Sequence, residues 1–281
     1  MPTFSAPDGT LLAHHSIGDG PPLVCLPGGP MRASAYLGDL GGLSAHRRLV
    51  MLDLRGTGES EVPEDVSSYR CDRLVGDVEA LRERLGVERI DLLAHCAGAN
   101  LAAAYVRRYP ERVGRLVLVT PSPIGVGIAV GVDDRLALAR LREGEPWFGE
   151  AFAALEEVAA GRGTDRHWAA VAPFFHGRWD AAAQALDAAD AEQRNSEAAG
   201  VFGGEGAFDP EGTRAAFGRF GAPVLVLAGE VDLNSPPGAM GEYAALFPDT
   251  RTRFVVQPGA GHHPWLDDPD RFVEAVAGFL G

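Results

Sequence analysis

Residues 89–104 read RIDLLAHCAGANLAAA, and this stretch decides the fold of the chain. Its apolar first half is typical of a buried strand, and its alanine-rich second half predicts a helix. Cys96 stands at the turn between them, with Ala94, Ala97 and Gly98 as neighbours. A sharp strand-to-helix turn requires small neighbours, because its apex residue adopts a strained backbone conformation. We therefore expect the Cys96 side chain to project from the carboxyl end of a strand at the start of a helix.

This position of Cys96 is typical of a nucleophile. A helix N-terminus presents free N–H groups and the positive end of the helix dipole, which favour a thiolate and any negative oxygen formed beside it. The alternative interpretation is a small buried apolar cysteine, since free cysteine is usually a core residue. Small residues at every early position of the helix have no purpose at an ordinary connection, so we prefer the nucleophile.

Length, cysteine content and the first residues limit the class of protein. The chain has 281 residues, 46% of them hydrophobic, which suits one large core with at most a small appendage. The three cysteines are too few for a disulfide framework, and no Cys/His cluster has zinc-site spacing. We expect neither a metal nor another cofactor. The start MPTF does not resemble a signal peptide and no apolar stretch reaches membrane-spanning length, so we expect a cytoplasmic protein without a membrane partner.

The charge pattern excludes further function classes. The formal net charge is -14, and all 25 basic residues are arginine. A surface this acidic repels nucleic acid and anionic lipid at long range. The absence of lysine excludes Schiff-base chemistry and a phosphate-loop lysine. We therefore expect a small-molecule substrate, and the sequence leaves the oligomeric state open.

Apolar runs and amphipathic segments alternate on both sides of residues 89–104. The predicted strands are a hairpin within residues 4–17 and the runs 23–26, 48–54, 90–93, 116–119, 223–229 and 253–256. The predicted helices between or after them are 70–85, 97–109, 238–247 and 269–280. Strands that are apolar throughout are typical of a parallel sheet covered on both faces. The sequence thus predicts an α/β fold with a doubly wound, mostly parallel sheet.

Residues 121–215 interrupt this alternation. They contain no convincing strand, but helical patterns occur at 135–142, 148–160, 167–175 and 181–191. We predict that residues 1–120 and 216–281 form the core and that residues 121–215 form an inserted helical cap. We interpret most cap aromatics as cap core, while Trp147, Phe174 and Phe175 are also candidates for the apolar wall of a substrate pocket.

Three motifs of this chain resemble those of the α/β-hydrolase family. The turn at Cys96 resembles the Gly-x-Ser-x-Gly nucleophile elbow, with Ala94 replacing the first Gly and Cys96 replacing Ser. Residues 53–60, DLRGTGES, are similar to the family's Asp-x-Arg-Gly-x-Gly-x-Ser turn. Residues 27–30, PGGP, look like the His-Gly-Gly-Pro loop of its proline iminopeptidase branch, with Pro27 in place of His. The resemblance implies the α/β-hydrolase fold and acyl-bond hydrolysis by a catalytic triad.

The family resemblance also implies partners for Cys96. In the family the acid follows the nucleophile and the histidine follows the acid. Asp232, after the strand 223–229, stands at the family's acid position, and His262 stands in its Gly-x-Gly-His pattern. Asp232 would hold one ring nitrogen of His262, and the other nitrogen would take the thiol proton. His263 is the backup, expected to line the pocket or face solvent, and His95 is interpreted as a packing residue beneath the turn.

Further site residues are implied for the oxyanion and for the substrate. The backbone N–H groups of Gly29 and Ala97 are the natural oxyanion donors, and Gly28 beside them is a candidate substrate contact. Members of the iminopeptidase branch bind a free amino terminus with cap carboxylates. Glu197 and Glu205 are the candidates here, with solvated surface charge as the alternative interpretation.

Three interpretations of Cys96 remain open from the sequence: a native thiol nucleophile, a replacement of serine made to trap an acyl-enzyme, or an inactive relic. The leading functional hypothesis is a hydrolase that cleaves an amide or ester through an acyl-Cys96 intermediate, with an aminopeptidase acting on aminoacyl or prolyl compounds first. The alternatives are a carboxylesterase, lactonase or thioesterase, and, from another class, a ligand-binding protein without turnover.

Overall fold

A computed structural model describes residues 2–281, and within them the backbone forms an eight-stranded sheet. The strands are β1 Thr3–Ser5, β2 Leu11–Ile17, β3 Pro22–Leu26, β4 Arg48–Leu52, β5 Ile90–His95, β6 Val113–Val119, β7 Val224–Gly229 and β8 Thr252–Gln257. Their order in the sheet is β1-β2-β4-β3-β5-β6-β7-β8. The pairs β1–β2 and β2–β4 are antiparallel, and all other pairs are parallel. The predicted mostly parallel sheet is thereby confirmed.

The helices are α1 Val75–Arg84, α2 Gly98–Arg108, α3 Val132–Ala139, α4 Phe148–Ala159, α5 Asp165–Val171, α6 Ala181–Ala188, α7 Asp190–Gln193, α8 Ser196–Phe202, α9 Pro210–Phe217, α10 Pro237–Ala244, α11 Pro264–Asp267 and α12 Pro269–Leu280. Helices α1 and α2 pack on one face of the sheet, and α12 packs on the other. Successive side chains of a strand point to opposite faces. On β5, Leu92 packs in the cluster with α1 and α2, whereas Leu93 packs in the cluster with α12. No helix within residues 2–281 combines the length and the hydropathy that crossing a bilayer requires.

The observed helices differ from the predicted ones at the start of α1 and in the presence of α8 and α9. Helix α1 begins at Val75 rather than at residue 70, because the backbone N–H of Cys71 donates to the carbonyl of Phe202 at 3.0 Å instead of joining a helix. Helices α8 and α9 were not predicted. Both are short, and each begins after a side chain that caps it, Asn195 for α8 and Asp209 for α9. The pair Asp209-Pro210 is the signal that would have found α9, since proline is favoured at the first helical position.

The segment between β6 and β7 is helical. Helices α3 to α5 and the turn after them share an apolar cluster of their own, which includes Ala151, Leu155 and Phe174. Phe202 of α8 and Phe217 of α9 instead pack into the main core. We propose that residues 121–215 form the cap, with α8 and α9 as its attachment to the core.

The turn after β5 has the strained geometry that its small residues indicate. Cys96 has a φ of +51°, a left-handed conformation that costs a non-glycine residue about 1–3 kcal/mol. Gly98 lies against the end of β3, and a Cβ atom there would lie 2.6 Å from the carbonyl oxygen of Pro27 and 2.7 Å from that of Leu26. The absence of a side chain at Gly98 therefore allows α2 to begin directly beside β3.

We expect Gly98→Ala to lower the free energy of unfolding by about 1–3 kcal/mol, because the added methyl group meets backbone that cannot move aside. Gly278→Ala in α12 is the matched control, since a Cβ atom there meets nothing within 4 Å. It should be neutral or stabilise by up to about 1 kcal/mol. Denaturant unfolding of both variants measures the difference, and equal stabilities would contradict the close packing at Gly98.

Candidate active site

Cys96, Asp232 and His262 come together at the carboxyl edge of the sheet. Each follows a parallel strand, β5, β7 and β8 respectively, and such strands all end at the same edge. Nδ1 of His262 donates to Oδ2 of Asp232 at 2.8 Å, and the other carboxylate oxygen of Asp232 accepts the N–H of Asn234 at 2.8 Å. The ring of His262 faces the same cavity as Cys96, and Nδ2 of Asn234 lies 3.4 Å from its Nε2. The geometry is that of a nucleophile, a base and an acid in series.

The surroundings shift the pKa values of the thiol and the imidazole in opposite directions. Burial by itself raises the pKa of Cys96, but the positive charge and hydrogen bond of His262, with two backbone hydrogen bonds, lower it below its ordinary value. Burial likewise lowers the pKa of His262, but the charges of Asp232 and Cys96 raise it well above the ordinary value. Both shifts favour the ionised pair, a thiolate with an imidazolium, over the neutral pair.

The two residues predicted as oxyanion donors, Gly29 and Ala97, lie near Cys96. Their backbone N–H groups are among the groups that lower the pKa of its thiol. Gly28 does not line the cavity described below but packs on the turn, where an added Cβ atom would lie 2.7 Å from Cβ of Cys96. A negative charge next to this sulfur would therefore lie within reach of two backbone donors.

His95 connects the loop after β3, which carries Gly28 and Gly29, with the loop after β8, which carries His262. The N–H of Gly28 donates to Oη of Tyr36 at 2.7 Å, Tyr36 donates to Nδ1 of His95 at 2.6 Å, and Nε2 of His95 donates to the carbonyl oxygen of His262 at 2.9 Å. These assignments follow from the carbonyl, which can only accept, and they require a neutral His95. Burial lowers the pKa of His95 well below its ordinary value, in agreement with that state. The residue interpreted as packing thus also orients backbone.

The backbone of His262 has two more partners that the sequence did not indicate. Oγ1 of Thr120 donates to its carbonyl oxygen at 2.9 Å, and its N–H donates to the carbonyl oxygen of Phe175 at 2.8 Å. Thr120 directly follows β6, and its hydroxyl helps to fix the backbone position of His262.

A cavity of about 220 Å³ opens over Cys96. Its walls are formed by Gly29, Arg32, Tyr36, His95, Cys96, Phe175, His176, Leu186, Asp187, Asp190, Arg194, Asn234, His262 and His263. Phe175 and His263 are there as the sequence predicted. The ring of His263 stacks on His176 at 5.2 Å, and burial lowers its pKa well below the ordinary value.

Four further predicted substrate contacts do not line the cavity. Trp147 and Phe174 pack against each other in the apolar cluster of α3 to α5, with ring centroids 5.0 Å apart. The helical turn 172–175 directs Phe174 into this cluster and Phe175 towards the cavity. Glu197 and Glu205 are exposed and do not line the cavity. For these two glutamates the alternative interpretation, solvated surface charge, agrees with the geometry.

The carboxylates that do line the cavity are Asp187 and Asp190, which the sequence analysis missed. Asp190 accepts two hydrogen bonds from Arg194, both 2.8 Å long, and lies 3.2 Å from Nη1 of Arg32. Asp187 has no ion pair or side-chain hydrogen bond with any other residue of 2–281. Burial, and then the charge of Asp190, raise the pKa of Asp187. The spacing of 187, 190 and 194 along the chain, which places them on one helical face, is the signal that could have identified them.

Comparison with known proteins gives the family of the chain. Residues 21–269 match the family model of the alpha/beta hydrolase fold. A proline iminopeptidase of Heyndrickxia coagulans is 25% identical over 278 residues, which cover 94% of this chain and 91% of that protein.

Two solved structures have the same fold. The crystal structure of a proline iminopeptidase from Mycobacterium smegmatis superposes with a TM-score of 0.74 at 24% identity, covering 99% of this chain and 97% of the other. The esterase RhEst1 from Rhodococcus sp. superposes with a TM-score of 0.73 at 26% identity, covering 99% and 98%. With the sheet order, the elbow after β5 and the match over most of its length, this chain belongs to the α/β-hydrolase fold family.

Proposed function

We propose that this protein hydrolyses an acyl bond of a small molecule through a covalent intermediate on Cys96, with His262 as base and acid and Asp232 as the residue that orients His262. One observation carries the proposal: Cys96, at a strained turn with a φ of +51°, lines the same cavity as His262, whose Nδ1 is hydrogen-bonded to Asp232 at 2.8 Å. A structural cysteine needs neither a strained turn nor an oriented imidazole beside it.

In the first half of the reaction the thiolate of Cys96 attacks the carbonyl carbon of the substrate. The new C–S bond places a negative charge on the carbonyl oxygen, which the N–H groups of Gly29 and Ala97 accommodate. As the tetrahedral adduct collapses, the imidazolium of His262 gives its Nε2 proton to the leaving amine or alcohol, and the C–N or C–O bond breaks. Its raised pKa suits His262 to this role of acid.

In the second half a water molecule attacks the acyl group on Cys96. His262, now neutral, accepts a proton from that water, and Asp232 stabilises the imidazolium that forms. The C–S bond breaks and the free carboxylic acid leaves. The thiolate–imidazolium pair is restored.

The first substrate class is a small aminoacyl or prolyl compound with a free amine. The cavity of about 220 Å³ is smaller than the roughly 300–1,000 Å³ of typical ligand pockets. Asp187 offers it a carboxylate without a cationic partner, while the charge of Asp190 is neutralised by Arg32 and Arg194. An ammonium group beside Asp187 would supply the missing counter-charge. The relation to proline iminopeptidases over nearly the whole chain supports the same class.

The second candidate is an esterase or lactonase. It is favoured by the exposed positions of Glu197 and Glu205, since a cap built for an amino terminus was expected to direct them inward. Thiolates also react readily with esters, whose leaving groups depart easily. The likeness to the solved esterase RhEst1 is compatible with this alternative.

The thiol of Cys96 should react with iodoacetamide fast near neutral pH. Because its pKa is lowered, the thiolate persists as the pH falls, and labelling declines only below that lowered pKa. His262→Ala removes the largest charge that lowers the pKa, so its labelling curve should move to higher pH and its rate near pH 7 should fall by about tenfold or more. The measurement is the alkylation rate from pH 5 to 9, read by intact mass.

The buried cysteines Cys25 and Cys71 serve as internal controls. Burial raises the pKa of both thiols, so neither should react in the folded protein. Slow labelling of Cys96 in both the parent protein and His262→Ala would support a ligand-binding relic instead of an enzyme.

An acyl adduct on Cys96 should be visible by intact mass after incubation with activated aminoacyl or acyl esters. If the site is shaped for oxygen, Cys96→Ser should turn the same esters over faster and the thiol form should retain the acyl group, because sulfur displaces the reacting centre by a fraction of an ångström. If the thiol is native, Cys96→Ser should be the slower form. Absence of both adduct and turnover in the two forms, across the panel, would contradict the proposed acyl transfer.

Asp187→Asn should raise KM about tenfold for aminoacyl arylamides, since it removes the charge that pairs with the substrate amine. The same change should leave KM for an N-acetylated analogue or a simple acetyl ester unchanged. Glu197→Gln is the matched control, because it removes an exposed carboxylate that does not line the cavity. Equal KM values for aminoacyl substrates in the parent and Asp187→Asn would favour the esterase or lactonase.

A further inference from the structure

The loop after β3 and residues 193–195 at the end of α7 are joined by backbone hydrogen bonds. The N–H of Ala33 donates to the carbonyl oxygen of Gln193, and the N–H of Asn195 donates to that of Met31, both at 2.9 Å. Arg32 and Arg194 stand opposite each other between these bonds as an antiparallel bridge. The loop that carries the oxyanion donor Gly29 is thus paired with residues 193–195, far away in sequence.

The direction of the Gly29 N–H depends on the peptide unit that it shares with the carbonyl of Gly28. A peptide unit is planar, so fixing its carbonyl also fixes its N–H, which points the opposite way. The carbonyl oxygen of Gly28 accepts the N–H of Arg32 at 3.2 Å. Gly29 itself has a φ of +116°, a value that other residues rarely adopt. The peptide unit that follows it, which contains the Gly29 carbonyl, therefore needs a separate restraint.

Arg194 supplies that restraint. Its Nη1 donates to the carbonyl oxygen of Gly29 at 2.6 Å, while Nε and Nη2 are held by the carboxylate of Asp190. The bidentate contact with Asp190 fixes the plane of the guanidinium group. Asp190 is in turn held by Arg32, whose Nη2 donates to the carbonyl oxygen of Leu186 at 2.8 Å. The peptide units on both sides of Gly29 are therefore anchored, one by the loop itself and one by Arg194.

We propose that Arg194 is a positioning residue for the oxyanion hole, acting through the carbonyl of Gly29 to aim the Gly29 N–H at the reacting centre. The inference rests on the proposed function in one respect, that this N–H serves as an oxyanion donor. Arg194 does not touch the reacting atoms in this arrangement. Arg194 should therefore stabilise the transition state, in which the negative oxygen forms, more than it strengthens substrate binding.

Arg194→Met tests the proposal through two readings. Loss of a whole oxyanion donor costs about 10²–10³ in kcat, and a misaligned donor should cost less, so we expect kcat to fall about 10- to 100-fold with KM within about threefold. Because the same N–H is among the groups that lower the pKa of Cys96, the alkylation curve of Cys96 should also move to higher pH. Arg194→Lys, which can still reach a carbonyl with a single donor, should lie between the parent and Arg194→Met in both readings.

Arg214→Met is the matched control. Arg214 also donates to backbone carbonyls of a loop, those of Val126 and Gly127, but neither residue lines the cavity. This variant should keep the parent values of kcat, KM and thiol pKa. Asp190→Asn, which weakens the anchor of Arg194 without changing its size, should shift the alkylation curve in the same direction and provides the test if Arg194→Met does not fold.

The outcomes separate this inference from the proposed function. A shifted alkylation curve in Arg194→Met supports the positioning role. If the parent protein hydrolyses none of the substrates, that finding counts only against the proposed hydrolysis. An alkylation curve that coincides with that of the parent overturns the positioning role, whatever happens to kcat. A higher KM at unchanged kcat also overturns it, because Arg194 would then bind substrate directly.

Discussion

The site depends on the close approach of two stretches of backbone, the loop after β3 and the turn after β5. These neighbouring parallel strands pair as far as Leu26 and Ala94, and beyond them no side chain separates the chains, because Gly28 faces Cys96 and Gly98 faces Pro27. Any Cβ atom at either glycine would fall within 3 Å of the opposite segment. This contact brings the N–H groups of Gly29 and Ala97 near Cys96, where both lower the pKa of its thiol.

The electrostatics of the site confine positive charge to one imidazole among four. His262 gains it from Asp232 and from the thiolate, whereas burial, reinforced by the charge of His262, keeps its neighbours His95, His176 and His263 neutral. The pKa of His176 is lowered to about 4. His95, whose Nδ1 contacts Tyr36 and whose Nε2 donates to the His262 carbonyl, is one of these neutral rings. His262 is thus surrounded by histidines that stay neutral.

The far side of the cavity is organised by arginine and aspartate from the helical segment between β6 and β7. Asp190 joins Arg32 of the core to Arg194, and Arg194 reaches the oxyanion loop. The same short segment therefore lines the cavity and supports the backbone of the loop at Gly29. A chain without lysine suits this arrangement, because the planar guanidinium group can hold a carboxylate and a carbonyl at the same time, which a single ammonium group does less well.

The sequence by itself determined the sheet, its apolar strands and the turn at Cys96, since local patterns of residue size and hydropathy encode these features. Asp232 and His262 were identified from the resemblance to the α/β-hydrolase family. The tertiary structure decided which cap residues face the cavity: Phe175 but not Phe174, and Asp187 and Asp190 but not Glu197 and Glu205. It also decided the roles of Tyr36, Thr120 and Arg194, whose partners lie far along the chain, such as Gly29 at a separation of 165 residues from Arg194. The direction of a side chain on a short, weakly periodic helix depends on how that helix docks, and docking is a sum of such distant contacts.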